Sequence, residues 1–98
     1  MSYIDDFKQS VRNFDGCLRY DQHARQFRKC ILPCAVLAWR FKKNRPVIRE
    51  AIEGLDEMAH KRYDRGYGWS TEFLYYIRDI YPKMYWQWYH PTKEEYNQ

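Results

Sequence analysis

Residues 30–41 read C-I-L-P-C-A-V-L-A-W-R-F and contain a single charge, Arg40. Placed on a helix, Ile31, Ala35 and Ala38 share one side. Leu32, Val36 and Trp39 share another, and Cys30 and Leu37 a third. A helix that is apolar all round is normally buried all round. The stretch therefore predicts the central strut of an all-α domain, with Leu32, Val36 and Leu37 enclosed by neighbouring helices. It is also too short to cross a bilayer, which takes about 20 apolar residues, so no membrane association is expected.

The surrounding periodicity extends this helix. Ala24, Phe27, Ile31, Cys34, Ala38 and Phe41 recur at alternating three- and four-residue spacing, with Asp21 a candidate N-cap and Lys42 and Lys43 suited to the negative C-terminal end. Pro33 interrupts it by removing one amide and crowding the Lys29 carbonyl. That predicts a kink and not a break, because Leu32 would be a poor cap for a new helix.

The other segments read as helices too. Ser2 caps a first helix over 3–14, whose inner face is Ile4, Phe7, Val11 and Phe14, and Gly16 is placed to end it in a left-handed conformation. Pro46 opens a third helix lined by Ile48, Ile52, Leu55 and Ala59, with Glu50, Glu53, Asp56 and Glu57 facing out. There Gly54 either weakens the helix or admits a close neighbour. An irregular piece over 64–68 follows. Ser70 caps a fourth helix with the stripe Phe73, Ile77, Ile80, Met84 and Trp88. Tyr81-Pro82 kinks or ends that helix, 82–89 adds a final turn or two, His90-Pro91 stops it, and 92–98 frays. The reading is a compact bundle of four helices, or five with the last turn, forming one domain over 1–98 of a 98-residue chain.

Charge is unevenly spread. The chain carries net +4, yet Arg25, Arg28, Lys29, Arg40, Lys42, Lys43, Arg45 and Arg49 fall in a stretch, 22–49, that holds no carboxylate. Such asymmetry points to an acidic partner, or to neutralisation by the acidic helix that follows. The nucleic-acid reading takes Arg25, Lys29, Arg40, Lys42, Lys43, Arg45 and Arg49 as phosphate contacts, with Arg25, Lys29, Arg40 and Lys43 on one side of helix two. A helix-turn-helix version fails, because its recognition helix would bring four carboxylates to the phosphates.

Aromatic residues make 19% of the chain, ten of them Tyr. Tyr75, Tyr76, Tyr81, Tyr85, Trp86 and Tyr89 lie off the inward stripe of the fourth helix, and Tyr and Trp dominate contact energies at interfaces. Their bodies could also wrap the bundle as a second core. Together with Arg40, Lys43, Arg45 and Arg49 they are the candidate partner-binding residues.

Motifs for chemistry are scarce. Cys17, His23, Cys30 and Cys34 supply four soft ligands, but no Cys-x2-Cys knuckle, and Cys30 and Cys34 sit in the apolar run, so they read as buried hydrophobes before zinc ligands. The three histidines are scattered. Glycine-rich phosphate loops, G-x-S-x-G and H-E-x-x-H are absent, and Asp64 near His60 is an ordinary surface pair. No catalytic residue and no cofactor is expected. An odd cysteine count and an N-terminal segment that is amphipathic and acidic, unlike a secretory leader, suit free thiols in the cytoplasm.

These features describe a non-enzymatic protein-interaction module of inhibitor or adaptor type. It would act by steric occlusion of an acidic or itself nucleic-acid-binding partner, with a second copy of the chain another admissible partner. Phage or mobile-element products that block a host factor are one class with this composition. Direct nucleic-acid binding is the alternative.

Overall fold

The computed structural model describes residues 2–63 and 68–89. Expectations placed on the loop at 64–67, including the Asp64 partner of His60, on the His90-Pro91 stop and on the 92–98 tail lie outside those residues. Every regular element described is helical, and no strand occurs among the described residues. The fold is all-α. The chain gathers into two compact units, Met1–Arg40 and Phe41–Gln98.

The first unit is built on helix α1, Tyr3–Asp15, and on a second helical run. That run comprises α2, Tyr20–Gln26, a π turn over Phe27–Ile31, and α3, Leu32–Ala38. Helix α1 packs against α2, the π turn and α3. Phe7 and Phe14 are buried from α1, and Phe27, Ile31, Ala35 and Ala38 from the facing run, all fully. Fully burying one such large apolar side chain contributes roughly 1.5–3 kcal/mol, so this shared face is the main reason the helices persist. Ser2 caps α1 as expected, its Oγ accepting from the Asp5 amide at 3.3 Å.

Three local expectations are corrected here. Gly16 closes α1 at φ −81° and needs no left-handed conformation, because its amide donates to Asn13 O and that of Cys17 to Phe14 O, both at 3.1 Å. Asp21 does not cap α2. Gln22 Oε1 accepts from the amides of Leu18 and Arg19 at 2.8 and 3.1 Å, while Asp21 pairs with Arg19. Third, the apolar run is not enclosed all round: Ile31, Ala35, Ala38 and Trp39 are fully buried, but one side is open. Leu32 is buried, Val36 half-buried, and Cys30, Pro33 and Leu37 are exposed. Within the unit a single long helix, α1, packs along the run, which leaves the Cys30 and Leu37 side open.

Pro33 does not break its helix. Ile31 and Leu32 keep right-handed helical angles, and the Leu32 amide donates to Phe27 O, five residues back. The wide turn inserts its extra residue just before the proline. That is where a regular α-helix would press the ring on the Lys29 carbonyl, and π turns are a recognised source of helix irregularity at such places. The run ends at Ala38, short of the expected Phe41. Phe41 is extended at φ −100°, ψ 119°, and the exposed cations at 40, 42 and 43 leave little apolar surface to sustain a helix by packing.

The second unit packs α4, Arg45–Tyr63, against α5, Trp69–Ile80, and both against a 3-10 turn at Tyr85–Trp88. A short 3-10 turn, Lys42–Asn44, precedes α4. Ile48, Ile52, Leu55 and Ala59 are buried on α4 as their spacing predicts, opposite Trp69, Phe73 and Ile77 of α5 in the sequence pattern. Trp88 folds back to bring its ring centroid 5.6 Å from that of Phe73. Tyr81, held off the α region by Pro82, ends α5 at φ −128°, ψ 68°. The chain then turns, so Ile80 leaves the expected stripe and is 51% exposed.

Asp56 was expected to face out. It instead accepts from the Trp69 amide at 2.7 Å, from the Ser70 amide at 3.3 Å and from the Ser70 hydroxyl. The start of α5 is therefore capped from α4, and Ser70 is a capped residue, not the cap. A carboxylate there also suits the positive end of the α5 dipole. Gly54 admits no close neighbour, since a Cβ built on it would meet nothing within 4 Å.

Candidate interaction surfaces

The tyrosine-rich segment splits into three groups. Thr71, Leu74, Tyr75 and Arg78 fall at three- and four-residue intervals on α5 and so share one face. Tyr85 and Tyr89 come back beside them from the final 3-10 turn, and the six line an open groove of about 210 Å³. Tyr75 and Tyr89 are 62% and 61% exposed, so their rings form its walls and not its floor. Tyr76 stands next to this groove, its ring edge-on to that of Tyr75 at 5.8 Å and 89°. Tyr81 and Trp86 are half-buried and do not line the groove, and the Trp86 indole donates to Lys83 O at 2.9 Å.

Thr71, Leu74 and Arg78 are the groove residues that sequence reasoning passes over, and Arg78 is the charged one. Its signal was available: Arg78 stands three residues after Tyr75 and seven after Thr71, on the same helical face. Among the described residues it has no carboxylate partner.

The expected basic contacts fare unevenly. Arg40, Lys42 and Lys43 are exposed, but the helix that was to align Arg40 and Lys43 with Arg25 and Lys29 ends at Ala38. Arg45 is a correction. It is 5% exposed, with Nη1 donating to Gln87 Oε1 and Nη2 set 3.1 Å from Met84 Sδ. A guanidinium engaged this way braces the second unit and is withdrawn from partner or phosphate binding. Arg49 is half-buried and paired with Glu53 at 3.3 Å, the self-neutralisation that the charge order allowed. Arg25 and Lys29 are exposed in the first unit, where they share a second groove with Arg12.

The four soft ligands do not come together as a metal site. His23 is fully buried, its ring 4.4 Å from that of Phe14. Its Nδ1 lies 2.9 Å from Arg19 O, and since a carbonyl only accepts, Nδ1 carries the proton. Cys17 and Cys34 are half-buried, Cys30 is exposed against expectation, and none of the three is in a disulfide. Among the described residues no group of three or more His, Cys, Asp or Glu could hold a metal ion. Burial, with smaller contributions from the Asp6 charge and from Cys30, pushes the Cys34 thiol above its ordinary pKa. His60 is exposed near the end of α4.

No helix among the described residues is long and apolar enough to cross a membrane. No protein family, curated protein or solved structure matches the chain.

Proposed function

We propose that the chain is a non-enzymatic interaction module of inhibitor or adaptor type, which captures a protein partner on the tyrosine-lined groove of α5 and acts by covering the surface it binds. The observation that carries this reading is that Tyr75, Tyr85 and Tyr89 line one groove together with Arg78, with two of the rings mostly open to water. Tyr and Arg are among the residues that supply most of the energy at protein interfaces. Rings in this number offer contact area at a small cost in side-chain entropy. The groove's volume falls below the roughly 300–1,000 Å³ typical of small-molecule sites, and suits one or two side chains of a partner better than a cofactor. Three cysteines that form no disulfide fit a reducing, cytoplasmic setting.

The test is affinity capture from the native host with the wild-type chain and a Tyr75→Ala/Tyr89→Ala variant, followed by titration of the purified partner. Both side chains are exposed, so the expected result is loss of capture at an unchanged melting temperature. Equal capture by the variant would remove the groove from the binding surface.

A further inference from the structure

The second groove lies wholly in the first unit and is independent of the tyrosine surface. It is lined by the end of α1 and its turn, with Arg12, Asn13, Gly16 and Cys17, and by one face of α2 and the π turn, with Gln22, Arg25, Gln26, Lys29 and Cys30. We infer that this groove is a binding site for a ligand carrying two or more phosphate groups.

Charge is the first argument. Arg12, Arg25 and Lys29 are exposed, and no carboxylate among the described residues lines the groove. Asp21, near in sequence, is already paired with Arg19. Arg25 and Lys29 make no ion pair among the described residues. Three uncompensated cations in one concavity raise the local positive potential and draw in a polyanion.

The amides point the same way. Gln22 Oε1 is occupied by the Leu18 and Arg19 amides, and Asn13 Oδ1 accepts from Gln9 at 3.1 Å. With the oxygen of each committed to the fold, what each has left for a ligand is its NH₂ donor. The α1 C-terminus would ordinarily repel an anion. Its nearest carbonyls are engaged, however, Asn13 O by the Gly16 amide and Phe14 O by the Cys17 amide. Gln26 donates to Ser10 O across the helix pair at 3.1 Å and so holds the two walls at a set spacing. No aromatic side chain among the described residues lines the groove, so recognition falls on phosphates and not on stacked bases. The volume, about 550 Å³, is in the range of a small-molecule site.

Free oligophosphates and the backbone of a nucleic-acid strand share this chemistry, and the experiment separates them. Binding of inorganic tripolyphosphate is measured by calorimetry, and that of a labelled oligothymidylate of about 12 nucleotides by anisotropy, at about 20 mM salt, where phosphate contacts are strongest. Either probe binding supports the site, and which one binds names the source. Arg12→Gln, Arg25→Gln and Lys29→Gln should each weaken the bound probe about tenfold, a modest value for a charge-assisted hydrogen bond. For the oligonucleotide, each should also lower the slope of log affinity against log salt by about 0.7. Lys8→Gln, exposed on α1 but outside the groove, serves as the control and should leave both unchanged. The inference is overturned if neither probe binds at low salt, or if the triple variant, helical by circular dichroism, binds as well as the wild type.

Discussion

The two units secure their helices by contrasting means. In the first, helix ends close on residues next to them: Ser2 on the Asp5 amide, Gln22 on the Leu18 and Arg19 amides, and the Gly16 amide on Asn13 O, and one polar tie, Gln26 to Ser10 O, spans sixteen positions between the helices. In the second, the polar ties span the sequence. Asp56 holds Trp69 and Ser70, thirteen and fourteen positions on, and Arg45 reaches Met84 and Gln87, 39 and 42 positions on. The functional surfaces follow the same division. The basic groove of the first unit rests on neighbouring turns of one helix pair, whereas the tyrosine groove of the second needs the chain to return from Tyr85 to Tyr89 beside α5. Short-range closure leaves side chains free on the surface, and long-range closure spends polar side chains inside, as Arg45 shows.

The contrast can be broken at its strongest point. Asp56→Ala removes acceptors from three donors at the α5 start and should lower unfolding free energy by about 2 kcal/mol, against about 0.5 kcal/mol for the exposed Ser2→Ala cap. Urea titration of both variants measures the difference, and equal losses would mean that the long tie is worth no more than the local one. Next in size is Gly54→Ala. A Cβ at that position meets nothing, so the substitution should raise stability by up to about 1 kcal/mol, read as a higher urea midpoint at unchanged slope. Destabilisation would show that α4 lacks the open face seen at Gly54.

The smallest effect sharpens the description of the first unit's surface. A raised pKa leaves Cys34 a smaller thiolate fraction than an ordinary thiol at neutral pH, and the thiolate is the nucleophile. Iodoacetamide should therefore modify Cys34 more slowly than the exposed Cys30, with the gap narrowing as pH rises through the thiol range. Simple shielding would slow Cys34 by the same factor at every pH, so a constant ratio would contradict the shift. Mass spectrometry of the labelled peptides reads both rates.

Much of the fold was legible because it depends on period and on proline. The faces of α1 and α4 and the end of α5 before Pro82 follow from spacing and backbone sterics. The misreadings share a cause. Asp21, Asp56, Ser70 and Arg45 were assigned from near neighbours, yet three of the four are committed to, or replaced by, side chains far along the chain. Apolar character places Leu37 and Cys30 inside, and stripe spacing places Ile80 there, but neither says how many neighbours a helix has or where it ends. On the candidate site, the tyrosines were visible as a cluster in sequence. That Tyr75, Tyr85 and Tyr89 share a groove with Arg78, and that Tyr81 and Trp86 lie outside it, was not.

What the amino-acid order settled by itself is the helical class, most of the buried faces and the surplus of cations and rings, all of which depend on interactions within a few residues. Only the tertiary structure decided which cation is buried and which carboxylate caps a distant helix. It also decided which tyrosines and which arginines share a groove. Those outcomes depend on where a chain turns back, and contacts tens of residues apart leave no periodic trace in the sequence.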